Sequence, residues 1–134
     1  DAGLKAGTFV WTPEKSPTGP VSIVVSIADH RALILRNGIV IGSGPVSVEG
    51  SVTGTFAYAL KAIEPDGQHW VRIELSTKKA GVSSVPPTEW QRYRAPEAFR
   101  RQVAAIVEPG MTIVVTPDSL RSAAAPATIL ESGN

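Results

Sequence analysis

The sequence predicts a mainly β domain with one helix in its C-terminal half, and three observations carry that expectation. Between Pro20 and Gly42 lie two β-branched apolar runs, Val21–Ile27 and Ala32–Leu35, followed by Asn37-Gly38 and a third run, Ile39–Ile41. Asn-Gly between such runs is a strong hairpin signal, because a type I′ turn needs positive φ at both central residues and these two reach it with least strain. Second, His69–Leu75 alternates apolar and polar residues after a Pro65-Asp66-Gly67 turn signal, as a half-buried strand does. Third, Pro96–Val107 sets Phe99, Val103, Ile106 and Val107 at helical spacing on one side.

In chain order, Asp1–Gly7 reads as a loose lead-in, and Thr8–Trp11 as a short aromatic strand in which Phe9 or Trp11 anchors. The turn chemistry of Glu14–Gly19 delivers the chain into a β-meander, whose first link is a tight turn at Asp29-His30. Ser43–Val48 stays extended, its Gly44 and Pro45 suggesting a bend or bulge on an edge. Val52–Leu60 alternates after Gly54, with Phe56, Tyr58 and Leu60 on one side, and pairs with His69–Leu75 as a hairpin. In the latter, Val71, Ile73 and Leu75 are expected inward and Trp70, Arg72 and Glu74 outward. Ser76–Thr88, with its Lys, Gly, Ser and Pro residues, reads as a surface loop.

Pro96 suits a first helical turn, Glu97 favours the positive end of the helix, and Pro109-Gly110 stops it, giving a helix over about 96–107. Arg100 and Arg101 lie off the apolar stripe and are expected to face water. Met111–Val115 is a buried strand, Thr116 a helix or turn cap ahead of Pro117, and 123–134 a hinge with a possible edge strand at Ala127–Leu130. Residues 1–134 are most simply one domain.

Composition narrows function mainly by exclusion. With 13 Lys+Arg against 12 Asp+Glu, there is no bias toward nucleic acid or anionic membrane. No apolar run approaches the roughly 20 residues of a membrane span, and no basic-plus-apolar leader opens the chain. A soluble or already processed segment is therefore expected. Zero cysteines exclude disulfides, thiolate metal sites and a cysteine nucleophile. The two histidines, His30 and His69, have no second histidine at ligand spacing, so no metal or cofactor is expected. Gly38, Gly42 and Gly44 lie among strands, with no helix start to receive a phosphate. A serine nucleophile is open by composition, but no nucleophile elbow surrounds one.

Taken in order, Thr8–Val21 (T-F-V-W-T-P-E-K-S-P-T-G-P-V), the meander with Arg31 and Arg36-Asn37-Gly38, then Pro45-Val46-Ser47 and Val52-Thr53-Gly54-Thr55-Phe56 resemble the N-terminal half of L,D-transpeptidase (YkuD-like) catalytic domains. The similarity covers residues 8–60. Ala95–Phe99 through Gly110–Val115 resembles the helix and closing strand that follow that family's active-site motif. The resemblance implies a β-sandwich or barrel of mixed strands, exported to the periplasm or cell envelope. Its members transfer acyl groups on peptidoglycan stem peptides through a cysteine, with a His-Gly pair and a Ser-His-Gly-Cys-x-Arg motif.

Both motifs are missing here. The corresponding positions read Ile73-Glu74-Leu75-Ser76-Thr77 and Pro87-Thr88-Glu89-Trp90-Gln91-Arg92, where an arginine alone survives. The resemblance thus implies a catalytically inactive relative that binds peptidoglycan stem peptides or an envelope protein. Its candidate contact residues are Trp90, Arg92, Tyr93 and Arg94, because aromatics and arginine dominate binding hot spots and arginine pairs a carboxylate. Trp90 and Tyr93 as packing over a filled cleft is the competing expectation. Two other classes stay open: a hydrolase rebuilt on Ser83 or Ser84 with His69, and a structural domain docking through sheet edges or the Lys78-Lys79 loop.

Overall fold

The computed structural model describes residues 9–75 and 81–120. The expected lead-in over 1–7, the Lys78-Lys79 segment and the 123–134 hinge and edge strand lie outside them. A two-residue strand, β1 (Val10–Trp11), leads through a short 3-10 turn into the meander of β2 (Val21–Ser26), β3 (Arg31–Arg36) and β4 (Ile39–Pro45). Both meander turns form where the sequence places them: Asn37 and Gly38 have φ of 54° and 80°, and His30 has φ of 51°. A bulge between Ile34 and Leu35 on the β3–β4 ladder shifts the register there.

The chain continues through β5 (Ser47–Val48), β6 (Phe56–Glu64), β7 (Gly67–Glu74), β8 (Val82–Ser84), a 3-10 helix (Pro87–Arg92), β9 (Tyr93–Arg94), helix α1 (Glu97–Ala104) and β10 (Thr112–Thr116). The described architecture is mainly β, as expected. Its large sheet has eight strands in the order β1-β4-β3-β2-β10-β6-β7-β8, and β5 and β9 form a separate ribbon. The run Thr-Ile-Val-Val-Thr of β10 slots parallel to β2 and antiparallel to β6. It thereby joins the N-terminal meander to the β6–β7 hairpin.

One sheet face carries the core: Val21, Ile23, Val25, Ala32, Ile34, Phe56, Tyr58, Leu60 and Val115 are all buried. The phase expected for β7 is reversed. Trp70 is 7% exposed and Leu75 is 53% exposed. The ladder explains why, since Leu60 pairs with Trp70, Tyr58 with Arg72 and Phe56 with Glu74, and directly paired residues share a face. Arg72 is accommodated on that face by lying 3.7 Å from the Phe56 ring centroid and bonding Glu74 at 2.7 Å.

Three other boundaries differ from expectation. Residues 81–88 are not a plain loop, because Val82–Ser84 pairs with β7 and the 3-10 helix starts at Pro87. The strand expected from Val52 begins at Phe56 and runs on to Glu64, because β7 supplies partners as far as the Glu64–Gly67 pair. The helix is shorter than 96–107, spanning Glu97–Ala104.

Two glycines fix how α1 lies on the sheet. A Cβ on Gly42 would stand 2.6 Å from the Trp11 ring, and one on Gly44 would stand 2.7 Å from the Phe99 ring. Both glycines therefore serve as seats for an aromatic side chain. Phe99 is 2% exposed, with the Phe9 ring centroid 5.4 Å away and Trp11 edge-on at 6.3 Å. Val103, Ile106 and Val107 pack more loosely against the same core. Gly44→Ala is expected to destabilise the fold by ~1–3 kcal/mol, the usual cost of overpacking, read by chemical denaturation. A midpoint equal to wild type would show that Phe99 is not seated there.

Candidate functional site

Between α1 and the sheet lies a cleft of about 660 Å³. Its deepest lining is hydrocarbon from three adjacent strands, Ile23 and Val25 of β2, Ala32 and Ile34 of β3 and Ile113 of β10, and the first four are core side chains no more than 5% exposed. Tyr58, Trp90 and Tyr93 form one wall, and Arg100, Val103, Ala104 and Val107 overhang it from the helix side. The size suits a small-molecule site.

The aromatic wall is held by a polar network. Tyr58 hydroxyl lies 2.5 Å from Glu89 Oε2 and 2.7 Å from the Tyr93 hydroxyl. A carboxylate only accepts, so Tyr58 donates to Glu89 and Tyr93 donates to Tyr58. Arg92 Nη1 at 3.3 Å and Arg72 Nη1 at 3.6 Å complete the surroundings of Glu89. Burial, reinforced by the Glu89 and Tyr93 contacts, pushes the Tyr58 phenol far above its ordinary value. Burial also raises Tyr93, against the lowering effects of the Tyr58 bond and of Arg92. Neither phenol ionises near neutral pH, so both remain hydrogen-bond donors in the wall. Trp90 packs between, its ring tilted against Tyr58 at 4.7 Å and edge-on to Trp70 at 5.1 Å.

The four residues expected at a contact surface divide into two pairs. Trp90 and Tyr93 face the cleft. Arg92 and Arg94 are turned to the strap at 49–51: Arg92 bonds the carbonyls of Glu49 and Ser51, and Arg94 bonds the Glu49 carboxylate through two nitrogens. Together with the β5–β9 pairing, these bonds fix Tyr93 in the wall. Arg100, expected to face water, is exposed and also lines the cleft mouth with Glu97 and Arg101. Its signal was the i, i+4, i+7 set Arg100, Ala104 and Val107, which shares one helix side. Glu89, just past the Ser76–Thr88 segment read as a loop, was missed because nothing local ties it to Tyr58, 31 positions away.

His69 and Ser84 border a second hollow, on the β7–β8 side, of about 730 Å³. His69 Nε2 is 2.8 Å from Asp66 Oδ1 and 3.3 Å from Glu64 Oε1. His69 Nε2 is thus turned to the two carboxylates of its own hairpin. Glu64, Asp66 and His69 each offer a ligand atom within 4.8 Å of the others; all three are exposed, in the arrangement of an ion-paired hairpin turn. The Asp66 bond raises His69, and the His69 bond lowers Asp66.

No family model matches the chain, and neither a curated protein nor a solved structure does.

Two expectations follow from this geometry. Tyr58→Phe removes the donor to Glu89 and the acceptor of Tyr93, and should cost about 1–3 kcal/mol in chemical denaturation; an unchanged stability would mean that the network does not hold the wall. Asp66→Asn should lower the His69 midpoint, followed by NMR titration, toward the ordinary histidine range, with Glu64 still holding it up in part. For this pair the stabilisation is complete between roughly pH 4 and pH 6.5. It fades as pH rises through the raised His69 value, and as pH falls through the lowered Asp66 value. A His69 midpoint unmoved by Asp66→Asn would contradict the pairing.

Proposed function

We propose that this chain is a non-catalytic binding module of the cell envelope, built on a scaffold like that of the L,D-transpeptidases, and that its ligand enters the cleft between α1 and the sheet. The observation that carries this reading is the cleft itself: about 660 Å³, with Trp90 and Tyr93 on its wall. Exposed concave surface walled by tryptophan and tyrosine is typical of binding sites. The sequence order of segments that resemble that family supports the envelope assignment, with peptidoglycan stem peptides or an envelope protein as the class of partner. The non-catalytic reading is supported by the absence of cysteine and by the distribution of the other candidate groups. His69 and Ser84 border the other hollow.

A second reading, a docking domain that uses no small ligand, is favoured by one observation. On the sheet face away from the core, Leu33, Val24, Val114, Ala57, Ile73 and Val82 are successive ladder partners. They make an uncharged stripe of the kind found at protein contacts.

Ala104→Trp fills the cleft from an exposed helix position and tests the choice. Wild type should co-sediment with isolated bacterial envelopes and the variant should not. Retention unchanged in Ala104→Trp but lost in Ile73→Lys would favour the docking reading. Incubation with a stem tetrapeptide should give background turnover; turnover abolished by His69→Ala would contradict a non-catalytic role.

A further inference from the structure

Resting on the reading of the cleft as a binding site, we propose that its occupant is an extended acidic segment of a partner protein. The segment crosses from the cleft into the second hollow, with a large apolar side chain beside α1 and acidic side chains at Arg100 and Lys61. The two hollows adjoin, since Gln68 and Trp90 line both. A chain that passes over these two residues meets both spaces, which a compact small molecule does not. The apolar seat is the half-buried rim of Tyr93, Val103, Val107 and Ile113 around the exposed Ala104, outside the closed core. A leucine or phenylalanine side chain takes such a rim out of water; the methyl groups of an alanine-rich stem peptide cover little of it. Polar groups on the way suit a peptide backbone. Trp70 Nε1 donates to Gln68 Oε1 at 3.0 Å, which turns the amide so that its Nε2 hydrogens are left for a carbonyl. The Tyr93 hydroxyl gives its hydrogen to Tyr58 and keeps lone pairs for an N–H.

Charge selects the segment. Of the acids that line the two hollows, Glu97 is held by Arg101 at 3.1 Å and Asp66 by His69 at 2.8 Å. Arg100, in the cleft, and Lys61, in the second hollow, are exposed and form no side-chain ion pair among the described residues. Each hollow thus keeps one uncompensated cation. A segment with an aspartate or glutamate on either side of its apolar anchor complements both.

Selection of octapeptides from a random displayed library by the whole chain, followed by fluorescence-anisotropy titration of the synthetic peptides, tests this. The selected sequences should set a large apolar residue between aspartates or glutamates. Arg100→Glu should weaken their binding roughly fivefold or more, and selection against that variant should replace the acid at one end by lysine or arginine. Lys61→Glu should do the same at the other end, and Ala104→Trp should abolish binding. Selected sequences without an acidic preference, or binding unaffected by Ala104→Trp, would overturn the proposal. A preference that responds to Arg100→Glu but not to Lys61→Glu would confine the occupant to the cleft and overturn the crossing. A stem tetrapeptide that binds in an Ala104-dependent way while no acidic octapeptide does would overturn the partner class and leave the cleft reading standing. If neither binds and envelope retention is also absent, both fail.

Discussion

The seating of Phe99 against Gly44 is the contact on which the rest of the structure depends. A glycine in the middle of a strand weakens that strand by its own entropy, yet Gly44 sits within β4 with the Phe99 ring occupying the space where a Cβ would stand. The compensation is an aromatic cluster in which Phe9, Trp11 and Phe99 meet over β4. That cluster fastens the helix near its first turn and leaves the later turns, with Val103 and Val107, packed only partly on the core. Held close at one point and loosely elsewhere, α1 overhangs the sheet and a cleft remains beneath it.

The opposite side of the cleft is held by different chemistry. There the chain passes through a 3-10 helix and β9, and its position is set by Glu89 reaching inward to Tyr58 and by Arg92 and Arg94 reaching outward to the strap at 49–51. A half-buried carboxylate is tolerable when donors surround it, and Glu89 has a phenol and two guanidiniums. The arginines that sequence reasoning assigned to a ligand are thus consumed in building the wall. The cation at the mouth comes instead from the helix, as Arg100.

How much of this was legible follows from what each signal encodes. The Asn37-Gly38 turn, the β6–β7 hairpin and the α1 stripe rest on local rules, positive φ and residue periodicity, and the structure follows them. The inward face of β7 was not legible, because Val71, Ile73 and Leu75 look as apolar as a core face should. The choice was made by β6, whose Phe56, Tyr58 and Leu60 fix which β7 residues stand beside them. The wall was half legible: Trp90 and Tyr93 stood out as aromatics, but Glu89 gains its meaning from Tyr58, 31 positions away in sequence. Two cores of information, local pattern and long-range register, act together, and the second is invisible in a single stretch.

Helix, wall and sheet together leave an apolar space under α1 that stays open in solution. Crystals pressurised with xenon test it most directly, since xenon enters apolar cavities without hydrogen-bond partners. Xenon bound over Ile34 and Ile113, beneath Ala104, is the predicted result. No xenon at that position, with Val103 and Val107 settled onto the β2–β3 floor, would contradict the account.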